Sequence, residues 1–114
     1  MSIAVGYVTF DCADTRRLAA FWSAALGYQN KGGDEDWTSI APADGSGVPM
    51  LFQRVPEGKA GKNRVHFDLN ASDFSTELQR LLDLGARRAQ GYEEAGNMVV
   101  LLDPEDNEFC LSSW

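Results

Sequence analysis

The sequence predicts an α+β fold made of two βαβββ modules with their helices on the outside, and three observations carry that prediction. A strand pattern, a helix pattern and a glycine follow one another twice along the chain. Each such unit is followed by short segments of strand character separated by turn residues. A polar, glycine-containing stretch, residues 57–62, divides the two halves.

Residues 7–12 open the first half. Val8 and Phe10 alternate with Tyr7, Thr9 and Asp11, the period of a strand with two distinct faces. Asp14 or Thr15 then caps a helix whose apolar stripe is Leu18, Phe21, Trp22 and Ala25. Gly27 supplies the left-handed residue on which helices commonly end. Residues 31–36 read as a polar turn, 37–41 as a short strand, 42–47 as a loop and 50–55 as a further strand.

The second half repeats the pattern at residues 64–70. Val65, Phe67 and Leu69 form one side, and His66, Asp68 and Asn70 the other; Val8, Phe10 and Asp11 fall on Val65, Phe67 and Asp68 at a single offset. Phe74, Leu78, Leu81 and Leu82 recur at helical spacing, and Gly85 ends that helix. Residues 86–92 form a weak strand, 98–102 a strong one, 103–107 a turn and 108–112 the last strand. Each copy is too small to bury its own faces, so one domain over residues 1–114 is expected, with module one at 1–56, a linker at 57–62 and module two at 63–114.

Composition narrows the function. A chain of 114 residues that is 44% hydrophobic fills one core without staples. Its net charge of −7, with scattered basic residues, argues against nucleic acid as a partner. No apolar run is long enough to span a membrane, and the N-terminus lacks a basic segment followed by an apolar signal core, so a cytoplasmic protein is expected. Cys12 and Cys110 lack CxxC spacing and read as small buried hydrophobes in a reducing compartment. The Gly-Lys pairs near residues 58–62 lack the spacing of a phosphate loop.

Chemistry is sought on the polar faces of the two lead strands, which present Tyr7, Thr9 and Asp11 from one copy and His66, Asp68 and Asn70 from the other. Those faces are either exposed polar sheet or the inward lining of a curved sheet that wraps a hollow. His66, the chain's only histidine, shares its face with Asp68, a pairing suited to general acid–base work or simply to hydrogen bonding within a ligand site. Tyr7, Trp37 and Phe52 offer aromatic walls for a flat apolar ligand, although Phe52 suits ordinary core equally well. Lys59, Lys62 and Arg64 either gate such a site against anions or form a solvated linker.

Several pieces taken together are similar to the vicinal oxygen chelate superfamily, and within it to small glyoxalase-like domains related to bleomycin-resistance proteins. They are Phe21-Trp22 with Leu26-Gly27, the run from Arg64 to Leu69, Leu84-Gly85-Ala86, and Asp103-Pro104-Glu105 with Asn107-Glu108-Phe109. The resemblance implies paired modules in a curved, open-barrel mixed sheet around a ligand cavity, and a homodimer. It also implies, for metal-dependent members, four ligands on the lead and last strands. His66 matches one of these positions. Tyr7 or Thr9 matches the second, Gln53 or Phe52 the third, and Cys110 stands where the family has Glu. This set is too poor in donors for a hard or borderline ion, so no metal cofactor is expected; an ion, if held, takes His66, Gln53 and Glu108. Asp106 stands where the family's turn carries Gly, and Asp tolerates a left-handed backbone.

The favoured expectation is a binding protein that holds a small, partly aromatic ligand through Tyr7, Thr9, Trp37, Phe52, Gln53, His66 and Cys110. The alternative is a lyase or isomerase on a small carbonyl compound, with His66 and Asp68 as the catalytic pair and an optional metal.

Overall fold

Alternation followed by a capped apolar stripe produces a strand and a helix in each half of the chain. The computed structural model describes residues 2–113 and divides into two units, Met1–Gly58 and Lys59–Trp114. Residues 1 and 114, the ends of the expected domain, lie outside the described residues.

The first unit runs β1 (Val8–Cys12), α1 (Thr15–Leu26), β2 (Gln29–Gly33), β3 (Trp37–Ala41) and β4 (Met50–Arg54). Its four-stranded sheet has the order β1-β4-β3-β2, with β1 parallel to β4 and the other pairs antiparallel. Asp14 caps α1 by accepting the Arg17 N–H at 3.1 Å, and Gly27 ends it in the left-handed conformation at φ 68°. The stripe Leu18, Phe21, Trp22 and Ala25 is buried. Phe10 joins that core edge-on to Trp22 at 5.7 Å and meets Phe52 at 5.4 Å. Burying each large apolar side chain of this kind contributes about 1.5–3 kcal/mol.

The second unit repeats the order: β5 (Asp68–Asn70), α2 (Phe74–Leu84), β6 (Arg87–Arg88), β7 (Met98–Leu102) and β8 (Glu108–Ser112). Its sheet order, β5-β8-β7-β6, again has one parallel pair, β5 with β8. Asp73 caps α2 through the Thr76 N–H at 3.2 Å, and Gly85 follows it at φ 120°. Leu78 and Leu81 are buried on α2, and Val99, Leu101, Phe109 and Leu111 are buried on the sheet. The turn between β7 and β8 is built on Asp103, a fully buried carboxylate that accepts the N–H groups of Glu105 at 2.8 Å and Asn107 at 3.0 Å. The chain is therefore α+β, with two unclosed mixed sheets and one helix per unit.

Four expectations need correction. Residues 31–33, expected in a polar turn over 31–36, belong instead to β2, which is exposed throughout and exists because its backbone pairs with β3, with a bulge between Asn30 and Gly32. The second lead strand is three residues long instead of seven, and Val65 is 76% exposed rather than on an apolar face. The cause lies in the preceding segment, which peels off so that Lys59 and Asn63 reach Glu108. Residues 86–92 contribute only the two-residue β6. Lys59, finally, is not a free solvated linker residue, since it forms an ion pair with Glu108 at 3.2 Å.

Candidate functional site

In the second unit, the parallel pairing sets Asp68 beside Cys110 and Asn70 beside Ser112. Partners in a parallel ladder project to the same face, whereas the next residues along, Leu69 and Leu111, turn to the opposite one. Asp68 and Cys110 therefore stand next to each other on the polar side, with Val100 of β7 flanking Cys110. His66, two residues before Asp68, reaches the same place: its Nε2 lies 3.3 Å from Asp68 Oδ1. One nitrogen, one oxygen and one sulfur donor atom thus come within 4.8 Å of one another. The His66 and Asp68 side chains remain 40% and 60% exposed, so a molecule approaching from solvent meets them directly.

Burial pushes the Cys110 thiol up from its ordinary pKa, and the Asp68 charge and hydrogen bond push it further in the same direction. A thiol held that way is protonated at neutral pH and is a poor free nucleophile. Glu108 is drawn the other way. Although burial raises it, the Asn63 N–H at 2.9 Å and the Lys59 ammonium hold its carboxyl below the usual range. Glu108 is thereby committed to the 59–63 segment, which removes it from the expected ligand set of His66, Gln53 and Glu108.

In the first unit the same register position is occupied by other chemistry. Asp11 pairs with Gln53, and Gln53 with Trp37, so the three share one face of the sheet; Thr9, Leu51 and Ser39 form the neighbouring row. Trp37 is 51% exposed, and Tyr7, just ahead of β1, is 53% exposed. Phe52 does not belong to this group. It is fully buried and packs on Phe10, because residues adjacent in a strand face opposite ways and Gln53 holds the polar side. Phe52 is core, not a ligand wall.

Asp11, placed on the polar face by the alternation along β1, stands in the first of these rows. Ser39 was not among the candidates, and finding it needed the β3–β4 register. The cysteines part company: Cys12 is buried as a small hydrophobe, while Cys110 is half-buried on the polar face, and neither is in a disulfide. A depression of about 460 Å³ in the first unit, lined by Ala13, Asp36, Arg54, Val55 and Pro56, contains none of the residues singled out from the sequence.

A family model described as a glyoxalase-like domain matches residues 7–112. No curated protein matches the chain. Among solved structures, a glyoxalase/bleomycin resistance protein/dioxygenase family enzyme from Burkholderia phytofirmans superposes with a TM-score of 0.76 at 16% identity, covering 97% of this chain and 98% of that one. The fosfomycin resistance protein FosX from Mesorhizobium loti gives 0.74 at 15% identity, covering 98% and 92%. A variant of FosX from Listeria monocytogenes, complexed with Mn(II) and a dihydroxypropylphosphonic acid, gives 0.73 at 12% identity, covering 98% and 90%. At these identities the structural likeness speaks to the fold.

Proposed function

The chain belongs to the glyoxalase-like domain family, and from that premise we propose that it binds a small, partly aromatic molecule against the polar faces of its sheets, without the complete metal site of metal-dependent relatives. The observation that carries this reading is the convergence of His66, Asp68 and Cys110 on a face that stays open to solvent. Support comes from the first unit, where the exposed Trp37 ring stands beside Gln53 and Asp11, an apolar surface with hydrogen-bonding groups at its edge. Tyr7, just ahead of β1, and Thr9, within it, add a phenol and a hydroxyl.

The ion of the FosX complex does not suit these residues. Mn2+ favours sets of carboxylate, carbonyl and water oxygens. Here the carboxylate of Glu108 is taken by Lys59 and Asn63, and the donor beside Asp68 is sulfur. No step of the proposed function runs through such an ion.

A second reading is favoured by the 3.3 Å contact between His66 and Asp68. A carboxylate that orients an imidazole lets it take and return a proton, the requirement for a lyase or isomerase acting on a small carbonyl compound. Turnover of hemithioacetal-type substrates, abolished by His66→Ala, would establish it. The proposal extends to a homodimer, which the resemblance to the superfamily implies, and to the cytoplasm, a compartment suited to two cysteines outside any disulfide.

Ligand binding is tested by a thermal-shift screen of small aromatic and carbonyl compounds on the wild type, His66→Ala and Trp37→Ala. A ligand present at a hundred times its Kd stabilises the folded state by about 2.7 kcal/mol. Hits that raise the wild-type Tm and lose their effect in either variant are expected. Hits that stabilise all three proteins equally would place binding elsewhere and refute the proposal.

A further inference from the structure

We infer that Glu108 is the positioning residue for His66: its carboxylate anchors the segment ahead of β5 and thereby sets the imidazole on the polar face beside Asp68 and Cys110. The functional meaning of that placement rests on the reading of His66 as a ligand contact, whereas the placement itself is measurable with no ligand present.

The ladder between β5 and β8 begins at Asp68, so His66 stands ahead of it. What holds the imidazole is a bridge, Arg64, Val65 and His66, with both ends tied to β8. At one end the Cys110 N–H donates to the Phe67 carbonyl at 2.9 Å. At the other the Asn63 N–H donates to Glu108 Oε1 at 2.9 Å, and the Lys59 ammonium pairs with the same oxygen at 3.2 Å while donating to the Gly61 carbonyl. The Glu108 side chain is only 14% exposed, so these charge-assisted bonds are little weakened by water. Between its anchors the chain bends at Arg64 and Val65; Val65 is thrown outward, and His66 turns back until Nε2 lies 3.3 Å from Asp68 Oδ1. A stretch outside a ladder keeps one shape only where its ends are fixed, because each residue released regains backbone entropy. Glu108 supplies by its side chain the fixing that ladder pairing supplies elsewhere.

The first unit supplies an internal comparison. There the lead strand pairs along its whole length, from Val8 with Met50 to Cys12 with Arg54, and Thr9, which occupies the place of His66, is held by that ladder. At the register position that corresponds to Glu108 stands Leu51, whose side chain accepts no hydrogen bond. The module that keeps its full ladder carries an apolar residue at this position, and the module that gives up the ladder carries the carboxylate. Shortening β5 is what frees His66 from strict alternation, and Glu108 is what gives it a defined place afterwards.

The test is two-dimensional NMR of the full-length protein at neutral pH with no ligand present, read at the chain's single imidazole. In the wild type the ring protons should show cross-peaks to the methylene protons of Asp68 and Cys110. Glu108→Ala should abolish those cross-peaks and move the ring signals towards those of free histidine. Asn63→Pro, which deletes the N–H donor and leaves Glu108 in place, should reproduce the loss, and it decides the matter alone if circular dichroism shows Glu108→Ala unfolded. Leu78→Ala truncates a buried residue of α2, weakens the same unit without touching the bridge, and should leave the cross-peaks as they are. Cross-peaks that are missing from the wild type, that survive loss of the Asn63–Glu108 bond, or that vanish in Leu78→Ala overturn the inference. Their survival in Glu108→Ala alongside a successful ligand screen would sink this inference and leave the binding proposal standing; their loss alongside a screen without hits would do the reverse.

Discussion

Asp103→Ala removes the carboxylate around which the β7–β8 turn is folded. In the wild type the side chain is fully buried, and Oδ1 accepts the N–H of Glu105 at 2.8 Å and that of Asn107 at 3.0 Å. The Asn107 side-chain amide donates to both oxygens, at 3.1 and 2.9 Å. The same turn holds Asp106 at φ 68°, a conformation rare for a residue with a side chain. Hydrogen bonds to a charged group are each worth about 1.5–3 kcal/mol, and some freed donors regain water, so a loss of about 3–4 kcal/mol is expected. For a domain of this size that corresponds to a fall in Tm of roughly 12–16 °C. Asp103→Asn keeps an acceptor oxygen but loses the charge, and should fall between the two. Urea denaturation of the three proteins, read by circular dichroism, measures the order. An Asp103→Ala variant within about 1 kcal/mol of the wild type, or one more stable than Asp103→Asn, would refute the argument. The turn matters for the site because it delivers β8, with Glu108 and Cys110, into register with β5.

Phe52→Ala, in the closed core against Phe10, should cost about 3–5 kcal/mol by chemical denaturation, the signature of a core residue rather than a ligand wall. Val65→Thr should change stability by less than about 0.5 kcal/mol, because the side chain is exposed and its backbone is outside the sheet. Glu108→Gln should show a pH signature. The folded carboxyl is held below its usual range, so its contribution is complete above the ordinary glutamate pKa of the unfolded chain and is lost as pH falls through the lower folded value. The stability gap between wild type and variant, followed by urea titration from pH 7 down to pH 3, should therefore be widest at the neutral end and close in acid.

Much of this fold was written in local sequence. Asp14, Gly27, Asp73 and Gly85 mark the helix ends because capping chemistry acts within a few residues of the chain. The strands at 37–41, 98–102 and 108–112 show in side-chain pattern because their apolar faces are buried. What was hidden depended on a distant partner. Gln29 to Gly33 carries no strand pattern, and its conformation comes from hydrogen bonds to β3. The alternation of residues 64–70 promised a longer strand than β8 pairs with, because Asn63 and Lys59 are spent on Glu108. At the site, His66 and Asp68 were visible as a same-face pair. Cys110 joins them only through a parallel ladder between residues far apart in sequence. Phe52 and Gln53 competed for one face, and the pairing of Phe52 with Phe10 decided it.

The chain has one histidine, so its imidazole protons give a single, unambiguous reporter in a one-dimensional NMR spectrum. Titrating the wild type with the best compound from the ligand screen should shift the His66 ring signals in step with the Tm increase, saturating at the same concentration. A compound that binds and stabilises the protein while leaving those signals where they were would contradict the assignment of the polar face at His66, Asp68 and Cys110 as the place where this protein acts.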